Sequence, residues 1–162
     1  LQYAEQPCRT VEELAAVRRK VDVPIAADES IRRAEDPLRV AVAGAADVAV
    51  LKVAPLGGVR RALAVAEACG LPCVVSSALE TSVGMAAELA LAGALPRLDM
   101  ACGLGTGALL TADVASEPLR PRDGWLPVPR RAPEPDLRSA VAAGPERVRW
   151  WDERLARVSA AA

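Results

Sequence analysis

Histidine is absent from this sequence, and so is phenylalanine; three tryptophans and one tyrosine are its only aromatic residues. Without imidazole, the four cysteines (Cys8, Cys69, Cys73 and Cys102) lack the partner that would complete a zinc site. Cys69 and Cys73 flank Gly70 and Pro72, the composition of a helix-to-strand turn. All four are read as reduced thiols of a cytoplasmic protein. With so few aromatics, Ala, Val and Leu must fill the core of a chain that is 52% hydrophobic. A strong excess of either charge is missing too: a net charge of −1 argues against nucleic acid or another polyanion as partner. No apolar run approaches the roughly 20 residues needed to cross a bilayer. No signal peptide is visible. At 162 residues the chain could form one ordinary domain.

What is present is a period. Four apolar or β-branched runs, LQYAE, VPIAAD, VAVLK and PCVVSS, end at Glu5, Asp28, Lys52 and the pair Ser76-Ser77. Their ends are spaced by 23, 24 and 24 residues. A fifth run, LDMAC, ends at Cys102, about one period further on. Between the runs lie segments of helical periodicity. Thr10 and Glu13 predict a capping box for the first helix, with Val11, Leu14, Ala15 and Val17 on its apolar face. A second helix is expected over 35–46. The continuous run VAVLKVAP reads as a strand covered on both faces. Gly57-Gly58 opens a third helix that Gly70 closes, and a fourth is expected from about Val83 to Leu95. From Ala115 the pattern breaks: six of the 13 prolines lie within 116–136, the mark of an irregular excursion. Pro145 then starts a last helix whose Val148, Trp151, Leu155 and Val158 share one face. That face is expected to dock on another part of the same protein.

Strand and helix alternating with a period in the twenties means stacked βα units, and parallel strands joined this way direct their C-terminal ends to one face. Five strands and four helices do not close a (β/α)8 barrel, which takes about 250 residues and carries its chemistry at those ends. The chain therefore reads as roughly the second half of a barrel. A five-stranded doubly wound sheet is the rival, but Glu-Gln-Pro-Cys stands where that fold usually places a glycine-rich phosphate loop. Gly103-Leu-Gly-Thr-Gly107 lacks the dinucleotide-binding spacing and is read as a tight strand exit.

On adjacent strands, Glu5 and Asp28 lie within reach of one hard cation, and oxygen ligands without histidine favour Mg2+ over zinc or iron. Each acid alone could equally cap a helix or pair with an arginine. Lys52, flanked by Val50, Leu51 and Val53, is costly to desolvate without a carboxylate partner or a task. Two tasks stay open: proton transfer or charge stabilisation beside a metal-bound enolate, and a Schiff base. Ser76 and Ser77 could bind a substrate carboxylate.

YAEQP, IAADES, VLKVAPLGG and SSALETSVG, in this order and spacing, resemble the fourth to seventh barrel strands of the enolase superfamily, muconate-lactonising subgroup. The resemblance covers roughly residues 1–113. Within the subgroup, Pro55 in LKVAPLGG resembles the dehydratases, where lactonising enzymes tend to carry a second lysine. LDMACGLGTG lacks the acidic pair with which dipeptide epimerases hold an amino group. The resemblance implies that Glu5 and Asp28 are the second and third Mg2+ ligands (Mn2+ being an alternative ion), that Lys52 is the sixth-strand lysine and that Glu29 is an acid behind the ligands. It further implies that Ser76, Ser77 and the backbone near Cys102-Gly103 hold a substrate carboxylate. The expected fold is the C-terminal portion of an enolase-type α/β barrel, about strands four to eight. Residues 1–113 would form its second half, and 114–162 would run back towards a capping domain, with RAPEP in place of that family's glycine-rich PGLG. The second-strand KxK lysine, the third-strand aspartate and the N-terminal capping domain have no counterpart here, so the missing half is expected as a partner, from the same chain or another.

The implied activity is a dehydration that removes a proton alpha to a carboxylate and expels hydroxide to aromatise a ring. N-acylamino acid racemisation is the alternative within the class. A Schiff-base aldolase using Lys52 and a non-catalytic half-barrel subunit are the rivals outside it.

Overall fold

The computed structural model describes residues 1–32, 36–136 and 141–161. Four short parallel strands, β1 (Ala4–Glu5), β2 (Ile25–Ala27), β3 (Val48–Leu51) and β4 (Cys73–Val75), form one sheet in chain order. Ala4 pairs with Ile25, Ala26 with Val48 and Ala49 with Cys73. The order never reverses, so the sheet lacks the switch point that defines a doubly wound fold.

The two faces of the sheet differ. Ile25, Ala27, Ala49, Leu51, Cys73 and Val75 point to a large core built with the helices. That core takes Leu14 and Ala15 from α1 (Val11–Arg18), Val40 from α2 (Asp36–Val42), Ala62 and Val65 from α4 (Val59–Cys69), and Met85 and Leu89 from α5 (Ser82–Ala94). The alternate residues Ala26, Val48, Val50 and Val74 form a second, smaller cluster edged by Tyr3 and Met100. Helices on one face and a side-chain cluster on the other are the layers of a barrel wall, not of an open sheet covered on both faces.

Local chemistry sets the element ends. Thr10 Oγ1 accepts from Glu13 N–H at 3.1 Å and a Glu13 carboxylate oxygen accepts from Thr10 N–H at 3.1 Å, the predicted box. The second helix ends at Val42, short of residue 46, because Gly44 turns left-handed (φ +57°) and Ala45 N–H closes back on the Val40 carbonyl. Its predicted start at residue 35 lies outside the described residues. VAVLKVAP is not one long strand: β3 stops at Leu51, and a single helical turn, α3 (Val53–Leu56), follows Lys52. Gly57 and Gly58, at φ +81° and +123°, then lead into α4, which Gly70 ends at φ +64°. The fifth strand is reduced to one parallel bridge between Ser76 and Gly103. Only Gly103 exchanges bonds with the sheet, its N–H donating to Val75 O at 2.9 Å and its carbonyl accepting from Ser77 N–H at 3.0 Å.

Beyond a 3-10 turn at Thr106–Leu109, the described chain up to residue 136 is irregular apart from bridges Ala115–Pro135 and Arg122–Trp125. The last helix, α6 (Pro145–Ala160), starts at the predicted proline, and none of the described residues covers its apolar face. Val148, Trp151, Leu155 and Val158 are 45–66% exposed, and no residue of α6 is buried. Helical periodicity reports that a helix has a face to bury, not what buries it. No described helix is long and apolar enough to cross a membrane.

Candidate active site at the strand ends

The alternation that separates the two cores also selects the site. Tyr3, Ala26, Val50, Val74 and Met100 belong to the smaller, inner cluster. Two residues on from each stand Glu5, Asp28, Lys52, Ser76 and Cys102. A strand repeats its facing every second residue, so Glu5, Asp28, Lys52 and Ser76 leave the strand ends on the inner side, whereas Cys102, where the fifth strand is reduced to a bridge, packs against the larger core. Glu29, Ser77 and Gly103 have the opposite parity. This is why Glu29 sits outside, its side chain 61% exposed and 3.5 Å from Arg32.

Asp28 is the centre of the arrangement. Its carboxylate is 3% exposed; Oδ2 receives the Lys52 ammonium at 2.5 Å and Oδ1 receives Arg32 at 3.2 Å. Lys52 has the carboxylate partner that its burial requires. Its side chain is 13% exposed, which leaves the ammonium at the rim of the inner face. Glu5, at the end of the neighbouring strand, has its pKa raised by partial burial and then by the charge and hydrogen bond of Asp28, with Lys52 opposing. Two carboxylates thus crowd one spot, a donor set that a hard divalent cation would relieve. No group of three potential metal-binding side chains occurs among the described residues. The fit is therefore that of a two-carboxylate contribution to a cation site.

Ser76 and Ser77 turn towards the glycine-rich exit. Ser77 Oγ donates to Gly103 O at 3.1 Å and lies 2.6 Å from the Thr106 hydroxyl; Ser76 Oγ is 3.4 Å from the same carbonyl. Ser77 is buried, while Ser76 is half-buried on the inner side. Burial pushes the Cys102 thiol above its ordinary pKa, so it is held protonated. All four cysteines are free. A cleft of about 420 Å3 lies at the other end of the sheet, by Pro72, Cys73, Leu95 and Arg97, and none of these site residues lines it.

Two contributors escape a reading of local pattern. Gln6, in left-handed backbone at φ +38°, lays its amide across to the next strand end. Its Oε1 accepts from Asp28 N–H at 2.9 Å and Ser30 N–H at 3.2 Å, while Nε2 donates to Ser30 Oγ and Cys8 O, each at 2.9 Å. Glu88, on α5 and only 1% exposed, accepts the Val53 N–H with both carboxylate oxygens at 2.8 and 3.0 Å. Desolvation raises its pKa to about 7, against the backbone bond from Val53. Its signal in the sequence is a solitary charge in the apolar helix SVGMAAELALAGA.

Residues 1–133 match the family described as enolase C-terminal domain-like, and the chain belongs to that family. Among curated relatives, it is 60% identical over 155 residues to an o-succinylbenzoate synthase of Mycobacterium tuberculosis (strain ATCC 25618 / H37Rv), a match covering 96% of this chain and 47% of that protein. An o-succinylbenzoate synthase of Thermobifida fusca (strain YX) is 63% identical over 161 residues, covering 99% of this chain and 50% of the relative. The chain thus spans about half the length of the curated relatives it matches. Among solved structures, a muconate lactonizing enzyme from Pseudomonas putida superposes with a TM-score of 0.73 at 33% identity, over 82% of this chain and 38% of that one. A 2-chloromuconate cycloisomerase from Rhodococcus opacus 1CP gives 0.73 at 35% identity, over 93% and 41%.

Proposed function

We propose that this chain supplies the later barrel strands of an o-succinylbenzoate synthase, which dehydrates 2-succinyl-6-hydroxy-2,4-cyclohexadiene-1-carboxylate to o-succinylbenzoate in menaquinone biosynthesis. The observation that carries the reading is the convergence of Glu5, Asp28 and Lys52 on the inner face at the C-terminal strand ends, with Lys52 held against Asp28. The names of the relatives support it through high identity along nearly the whole chain. Residues 1–113 form the barrel portion in this reading. Residues 114–162 return towards a capping domain, and the earlier strands come from the remainder of the protein.

Glu5 and Asp28 would hold a divalent cation, Mg2+ or Mn2+. When bound, it supplies Lewis acidity that draws charge from the substrate carboxylate and makes the alpha proton more acidic. Lys52, ion-paired to Asp28, stabilises the negative charge that develops on the substrate as that proton leaves. Ser76 and Ser77, with the backbone at Cys102-Gly103, receive the succinyl carboxylate. Glu29 stands behind the ligands, and Arg32 shares the charge of Asp28 with Lys52. Proton removal belongs to the second-strand lysine implied by the family resemblance.

Lys52 variants of the intact protein test this. If Lys52 acts as a cation alone, Lys52→Arg keeps more dehydration than Lys52→Ala, which loses about a hundredfold to a thousandfold of turnover, the range found for lost oxyanion donors. Racemisation of an N-acylamino acid, which needs a proton-exchanging group on both faces, is abolished in both variants because arginine does not deprotonate. Rates of dehydration and solvent-deuterium incorporation are the measurements. Equal and complete loss in both variants, with Mg2+ affinity intact, would sink the cation role.

A further inference from the structure

The peptide that follows Lys52 is held from outside the barrel wall. Lys52 is extended (φ −129°, ψ 126°), and its side chain crosses the inner face to Asp28. The next amide, Val53 N–H, is the first of α3, where a helix offers its N–H groups no internal acceptor. Lys52 itself makes no side-chain cap there. Glu88 takes that amide with both oxygens from the opposite, helical layer, 35 residues later in the sequence. An almost fully buried carboxylate with no ion-pair partner among the described residues is a costly way to satisfy the backbone donors at the start of α3, Val53 foremost and Ala54 beside it. Lys52 is clamped on both sides of the sheet: its ammonium by Asp28, its backbone by Glu88.

We infer that Glu88 is a positioning residue for Lys52, fixing through the Val53 amide the direction in which the lysine leaves the strand end. The inference rests on the role given to Lys52 above. A carboxylate one methylene shorter withdraws by about 1.5 Å and releases the amide while keeping the charge. Glutamine keeps one carbonyl acceptor at full length and removes the charge. Glu88→Asp and Glu88→Gln therefore separate holding the backbone from charging the site. The two other charged groups that act on Glu88 are Glu80 and Lys52 itself.

The test is steady-state dehydration by the intact protein carrying Glu88→Gln, Glu88→Asp, Lys52→Ala and the double variant Glu88→Asp/Lys52→Ala, with melting temperatures measured alongside. The expected result is a kcat for Glu88→Gln within about threefold of wild type, and for Glu88→Asp a fall of tenfold or more with KM within twofold, since misplacement of a catalytic group by about 1 Å can cost a hundredfold. Adding Glu88→Asp to Lys52→Ala then costs nothing further, because residues acting through one another are not additive. The inference is overturned if Glu88→Gln falls as far as Glu88→Asp, if Glu88→Asp keeps wild-type kcat, or if it lowers the Lys52→Ala rate by its full factor. Wild-type turnover by Lys52→Ala would overturn the parent reading of Lys52 instead, and this inference with it.

Discussion

Both oxygens of Asp28 are engaged: one faces Lys52, the other faces Arg32, and its own amide is held by Gln6. Burying such a cluster is poor economy for stability, since desolvation of the ions offsets most of their attraction. It suits a site in which cations compete for one carboxylate. Glu88 presents the complementary case, a buried acid that among the described residues accepts only backbone donors. Burial raises its pKa from the ordinary 4.5 to about 7. A raised acid pKa means that the folded state binds its proton more tightly than the unfolded chain does. The stability contributed is therefore fully present below about pH 4.5 and is lost as pH rises through about 7. In the intact protein, wild type should lose melting temperature relative to Glu88→Gln between pH 5 and pH 8. Parallel pH profiles for the two proteins would show that Glu88 does not titrate in that window.

At the scale of elements, the strand ends were legible because a parallel strand buried on both faces reads as an apolar run, and the residue that stops the run is conspicuous. Glu5, Asp28 and Lys52 stand out for that reason. The length of the runs was less legible. VAVLKVAP looks continuous, yet Glu88 captures the Val53 amide and bends the chain into α3, a partnership 35 residues apart that no local pattern contains. LDMAC looks like a strand, but only Gly103 bonds to β4. That single bridge makes a prediction. A Cβ on Gly103 would sit 2.6 Å from Ser76 Oγ and 3.3 Å from its Cβ, so Gly103→Ala must push Ser76 aside. Overpacking of this kind costs about 1–3 kcal/mol. If Ser76 and Ser77 hold the substrate carboxylate, KM rises by more than kcat falls. Urea unfolding and steady-state kinetics of the intact protein measure both, and an unchanged KM would remove the serines from the substrate site.

The whole described molecule is a segment of wall. Among the described residues β1 pairs only with β2, and the outer edge of β4, on the side away from β3, meets only the short bridge at Gly103, so both margins of the sheet present open backbone groups. Trp150, Trp151, Leu155 and Val158 on α6 are exposed as well. A protein limited to these 162 residues should self-associate, with sedimentation rising as concentration rises; a monomer that melts cooperatively would argue against an open wall. The central claim is that this wall carries two carboxylates of a divalent-cation site with a lysine beside them, and Asp28→Asn in the intact protein tests it most directly. Mg2+ titrations of dehydration rate, with the fold followed by circular dichroism, should show an apparent Mg2+ affinity weakened by at least about tenfold and turnover lost while the fold persists, because a charge has been removed from a hard-oxygen site. Wild-type Mg2+-dependent turnover by Asp28→Asn would contradict it.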